Sequence, residues 1–189
     1  MKHWPLPNSY FDEIPRNGSP GSFWEDRNDR FHCGVDLYAP NGSPVLAIDG
    51  GKILDIGVFT NPNENTYWNE SFYVIVKSSE GIIYKYAELE SVDVKLGQIV
   101  ISGHILGKVG TAINIEKVTS KDPFYIRELI YKNQLAMLHL EIYKAPIMEV
   151  RPYSGGNFLG TYRPSSLLDP NIYLVGITKN KRDESNFRI

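Results

Sequence analysis

Phe72-Tyr73-Val74-Ile75-Val76-Lys77, Ser78-Ser79-Glu80-Gly81, Ile82-Ile83-Tyr84-Lys85-Tyr86-Ala87 is the stretch on which the fold turns. Two runs of β-branched and aromatic residues flank a polar segment ending in glycine, the pattern of a β-hairpin. Outward from it the rhythm persists. Pro44 to Gly57 places Val45, Ala47, Ile53 and Ile56 around Asp49-Gly50-Gly51, two short strands about a tight turn. Val94 to Gly110 repeats strand and glycine turn, and Leu135 to Tyr143 alternates Met137, His139 and Glu141 with Leu138, Leu140 and Ile142. Many short strands between glycine turns predict an all-β sandwich or barrel.

Two of these segments carry chemistry. In Phe31-His32-Cys33-Gly34-Val35-Asp36-Leu37, residues four apart in extended chain point to the same side, so His32 and Asp36 can converge on one ion. His139 arrives on a separate strand. Two imidazoles and a carboxylate suit zinc, and three protein ligands leave a fourth position for water, which favours a catalytic over a structural site. A histidine in an apolar strand is also an ordinary satisfied core residue, so the surrounding residues matter.

Those residues are His32-x-Gly34-Val35-Asp36-Leu37-x-Ala39-Pro40-x-Gly42-x-Pro44-Val45-x-Ala47 and Asp49-Gly50-Gly51-Lys52-Ile53, then Tyr86-Ala87-Glu88-Leu89, Val94-x-x-Gly97-x-x-Val100-x-x-Gly103-x-x-Leu106-Gly107-x-Val109-Gly110, and Leu138 to Ile142. In order and spacing they resemble the lysostaphin/LytM-type zinc peptidases, which cut peptide cross-links of bacterial peptidoglycan, over residues 30–145. The resemblance implies a duplicated-hybrid-motif fold like the glucose-permease IIA domain, Zn2+ on His32, Asp36 and His139, and peptidoglycan peptides as substrate. It also exposes a departure. The family has two histidines that act without binding metal, and their positions here hold Glu88 and Met137.

A carboxylate can take and deliver a proton, so Glu88 is the candidate catalytic base. Methionine neither donates a hydrogen bond nor carries charge. Weak or altered activity, or none, is therefore expected, and a zinc-binding module that recognises wall peptides or regulates a partner hydrolase is the alternative. Glu141, two residues past His139, is expected either to orient a zinc ligand through its free ring nitrogen or to be a solvent-facing strand carboxylate.

The chain of 189 residues, 42% hydrophobic, predicts one domain spanning 31–145 with a wrapping segment 1–30 and an extension 146–189 whose charged end, 179–185, frays. A net charge of −2 gives no reason to expect nucleic acid or an anionic membrane as partner. The single cysteine, Cys33, excludes an intrachain disulfide, and the strand period turns it away from His32 and Asp36 as a buried thiol. No signal-peptide run or membrane-length apolar stretch occurs, so a wall substrate implies the periplasm or exterior by another route, and otherwise the cytoplasm.

Trp4, Tyr10, Phe11, Phe23 and Trp24 are expected to anchor the wrap. Residues 59–71 carry Tyr67 and Trp68, which either line a groove or pack on the body of the fold. Residues 111–134 predict a short helix with Asp122 at its start and Pro123 in the first turn, a lid or a structural flap; a second short helix is expected over Asn171 to Val175. His104 reads as an exposed turn residue.

Overall fold

A computed structural model of the chain describes residues 1–11, 14–146 and 152–177. In chain order the elements are β1 (Phe31–His32), β2 (Val35–Tyr38), β3 (Pro44–Leu46), β4 (Gly51–Thr60), β5 (Ser71–Ser78), β6 (Ile82–Val92), β7 (Ile99–Val100), β8 (Ile105–Val109), α1 (Phe124–Tyr131), β9 (Met137–Lys144), β10 (Tyr153–Ser154), β11 (Asn157–Phe158), β12 (Leu167–Leu168) and α2 (Pro170–Leu174). The expected hairpin is β5 and β6. They pair antiparallel with Lys77 opposite Ile83 and Val76 opposite Tyr84, across a turn in which the Gly81 amide donates to the Ser78 carbonyl at 3.1 Å.

β6 organises the sheet because its two halves have different partners. Ile82 to Ala87 lie on β9, whereas Leu89 to Val92 lie on β8. At the changeover Ala87 and Glu88 together oppose Tyr73 alone, since Val74 pairs with Tyr86 and Phe72 with Leu89. This is a β-bulge, which bends a strand and re-aims its side chains. Glu88 takes up the extra residue with φ of 63°, a conformation a glutamate adopts rarely.

The resulting sheet runs β12-β9-β6-β5-β4-β7, with β2 added on β9 and β3 on β8. Among the described strands no closed barrel forms; the bend at Glu88 sends β6 to a second partner, and the sheet branches. β3 and β4 do flank Asp49-Gly50-Gly51, yet they do not pair with each other: β3 pairs with β8, and β4 with β5 and β7. A smaller sheet, β1-β11-β10, folds residues from beyond 150 back onto the strand that carries His32.

Leu138, Leu140 and Ile142 of β9 join Val35, Ile53, Val74, Tyr84, Tyr86 and Leu106 in the core. β9 is buried on its other face too, from Met137 to Tyr143. That burial arises because loops and the small sheet cover the polar side. Gly34 is required just before β2, where the chain comes against β9, as a Cβ there would stand 2.3 Å from the Leu140 carbonyl oxygen. Cys33 is a buried free thiol, its pKa pushed up by burial.

The wrap is anchored by fewer aromatics than expected. Trp4 and Phe23 are buried and Trp24 stacks on Phe31 at 4.7 Å, but Tyr10 and Phe11 are 59% and 56% exposed. α1 forms where expected, with Pro123 at the N-cap rather than inside the first turn; Asp122 instead accepts from the Thr119 amide. α2 starts one residue early, with Pro170 in its first turn and Asp169 capping the Asn171 amide. His104 is half-buried beside Gln98 rather than exposed. Residues 179–185 lie outside the described residues, and no described helix is long and apolar enough to cross a membrane.

Candidate metal centre

β2 and β9 place Asp36 directly opposite His139, and β1 brings His32 alongside. His32 Nε2 lies 3.0 Å from His139 Nδ1 and 3.1 Å from Asp36 Oδ1, and His139 Nδ1 lies 2.9 Å from Asp36 Oδ1. All three residues are buried. Ligand atoms about 2.0–2.1 Å from a tetrahedral zinc stand roughly 3.3 Å apart, so the observed triangle is a slightly contracted version of that frame.

The outer bonds of the two rings decide what this triangle can hold. His32 Nδ1 is 2.8 Å from the Ser22 carbonyl, which only accepts, so the proton sits on Nδ1 and Nε2 keeps its lone pair. His139 Nε2 is 2.9 Å from Glu141 Oε1, and the same logic frees Nδ1. With both rings neutral, two lone pairs and a carboxylate oxygen face one another with no proton between them. A cation resolves that arrangement. Without one, His139 takes up a proton: burial lowers its pKa, but hydrogen bonds to Asp36 and Glu141 outweigh it and raise the value to about 9. His32 is lowered by burial and by the Arg27 charge. Burial alone would raise Asp36, yet the two histidines beside it hold it well below the usual carboxylate range.

Glu141 is fully buried, so the solvent-facing alternative does not hold. Besides His139 it accepts from the hydroxyls of Tyr143 and Tyr153, and Lys85 Nζ lies 3.6 Å away. Lys85 in turn sits among the rings of Phe59, Tyr73 and Tyr153 at 4.8, 5.3 and 4.4 Å. These groups keep Glu141 ionised, which keeps the His139 proton on Nε2. Tyr143 continues the alternation of His139 and Glu141 along β9 and was readable from it. Arg27, Lys85, Tyr153 and Asn157 carried no such local signal.

His32, Asp36 and His139 open on a cavity of about 60 Å³ also lined by Glu88, Met137, Arg27, Trp68 and Tyr125. Glu88 Oε2 is buried there with no hydrogen-bond partner among the described residues. Burial, then the Asp36 charge, raises the Glu88 pKa to about 8 against the pull of His139 and Arg27. Trp68 therefore faces the cavity, whereas Tyr67 packs with Ile113 and Ile126 in a small separate cluster. The 111–134 insertion supplies both: α1 packs in that cluster and also walls the cavity through Tyr125, Ile126, Glu128 and Leu129.

Gly156, at the tip of the β10–β11 hairpin, closes over the centre with φ of +80°, and a Cβ there would stand 2.7 Å from the His139 ring. Gly156→Ala is expected to cost at least about 1 kcal/mol of stability through the backbone alone. By displacing the ring it should also weaken zinc binding at least about tenfold. Isothermal titration with zinc checks this; native affinity in the variant would mean that the hairpin does not press on the ligand.

The sequence profile described as peptidase family M23 matches residues 30–145. The cell division protein DipM of Caulobacter vibrioides is 33% identical over 107 residues, a match spanning 57% of this chain and 15% of that protein. Among solved structures, lysostaphin from Staphylococcus simulans aligns with a TM-score of 0.54 at 18% identity, covering 100% of this chain and 61% of that one. The SpoIIIAH and SpoIIQ complex aligns with 0.53 at 16% identity, covering 92% and 99%. At such identities the likeness is one of fold.

Proposed function

Since this chain belongs to peptidase family M23, we propose that it is a zinc-dependent peptidase acting on the peptide cross-links of bacterial peptidoglycan. His32, Asp36 and His139 hold the ion and Glu88 handles the proton. The observation that carries the reading is the convergence of three acceptor atoms within 3.1 Å while the ring protons are directed outward to Ser22 and Glu141. A zinc ion held there would lower the pKa of a bound water to about 7 and polarise the scissile carbonyl.

The chain's own residues do the rest. Glu88, on the cavity beside these residues, can accept a proton at Oε2 in its ionised form, which a cation bound nearby favours, and return it to a leaving amine. Met137 brings no donor to the developing oxyanion, a loss of about a hundred- to a thousandfold in known cases. Slow turnover follows.

A second reading, a zinc-binding module that recognises wall peptides without cutting them, is favoured by Met137, which supplies no hydrogen-bond donor for catalysis. Isolated peptidoglycan incubated with zinc-loaded and with chelator-stripped protein separates the two. Slow release of new amino termini by the loaded form alone supports the peptidase. Co-sedimentation with the wall and no release supports the module, and neither behaviour would sink both.

A further inference from the structure

The two oxygens of Asp36 have different surroundings. Oδ1 faces His32 and His139, while Oδ2 lies 3.4 Å from Arg27 Nη2. Arg27 is itself held from three sides. Its Nε donates to Glu25 Oε2 at 3.1 Å and its Nη2 lies 3.0 Å from the same oxygen. Nη1 donates to Asn157 Oδ1 at 3.0 Å, and the Tyr125 ring lies 4.7 Å from the guanidinium carbon. The Arg27 side chain is 10% exposed.

A carboxylate near a divalent ion can bind through one oxygen or two, and a second oxygen would consume the position left for water. A guanidinium fixed by Glu25 and Asn157, with its Nη2 set against Oδ2, opposes that rotation where a flexible ammonium would not. We propose that Arg27 is a positioning residue that keeps Asp36 a one-oxygen ligand. Asn157, which lies beyond the segment matched to the family, holds Arg27 in register and so ties the β10–β11 hairpin to the metal centre. Ligating carboxylates are commonly fixed by such outer hydrogen bonds, and their loss costs about 10–100-fold in metal affinity.

This inference rests on the three-ligand zinc reading, and the experiment separates the two. Zinc affinity by competition with a chromophoric chelator, and the visible spectrum of the cobalt-substituted protein, are measured for native protein, Arg27→Gln, Arg27→Lys, Asn157→Ala and the Arg27→Gln/Asn157→Ala pair. Arg27→Gln is expected to bind zinc about 10–100-fold more weakly. Its cobalt band should fall in intensity as Oδ2 joins the ion and the coordination number rises. Asn157→Ala should move both readouts less and in the same direction, and the double variant should be no worse than Arg27→Gln, because the two act through one contact.

Arg27→Lys should recover part of the affinity without the native spectrum. Native affinity and spectrum in Arg27→Gln would overturn the proposal. Should that variant not fold, as read from metal-free thermal unfolding, unchanged values in Asn157→Ala overturn it instead. A native protein that takes up no zinc, or a His139→Ala protein that retains it, would overturn the metal reading itself.

Discussion

His139→Ala protein is expected to emerge without zinc and to gain nothing from its addition. The native chain at free zinc a hundred times its dissociation constant should be stabilised by about 2.7 kcal/mol, roughly 5–10 °C in unfolding midpoint for a chain of this length. The variant should show no shift, because one of three converging atoms is gone and the remaining pair, His32 and Asp36, lacks the imidazole on β9 that closes the triangle. The variant should still fold. Glu141 keeps the Tyr143 and Tyr153 hydroxyls and Lys85 after the imidazole is removed. Elemental analysis together with differential scanning fluorimetry measures both halves of this expectation. Full zinc retention in the variant would remove His139 from the ligand set.

Met137→His is expected to raise the rate of peptide release from wall material by about a hundred- to a thousandfold, by returning an N–H donor beside the zinc ligands. Met137 lines the cavity, two residues before His139 on the same face of β9, so an imidazole there points where the thioether does. Met137→Leu serves as the control for shape and should leave the rate unchanged. Glu88→Gln, in contrast, should abolish release while zinc stays stoichiometric, since the amide cannot carry the proton. It should not reduce thermal stability, because the Glu88 Oε2 it replaces already lacks a partner in the described fold. A Met137→His protein no faster than native would show that the missing donor does not limit turnover, and release by Glu88→Gln at the native rate would move the base elsewhere.

The period-two runs of β5, β6 and β9 specify strands by themselves, because each residue's face follows from its neighbour's. The same rule predicts His32 and Asp36 on one side of a single extended strand, but they lie on β1 and β2 in different sheets, either side of a bend at Gly34, and converge across that break. Glu88 illustrates where local reading stops. Its identity was legible, but the left-handed backbone and the bulge that put it in the cavity arise from pairing one strand with β9 and then β8.

Sequence alone thus determined the β character of the chain, which depends on short-range alternation, and, through residue types shared in order and spacing with a known family, the three candidate ligands. Tertiary structure alone decided which atoms of those ligands are free. The Ser22 carbonyl and Glu141 assign the ring protons. Arg27 occupies Oδ2 with Asn157 behind it, 130 residues away in the chain. Contacts at such separation leave no period in a sequence, because they are set by how strands and loops close over one another and not by the residues beside them.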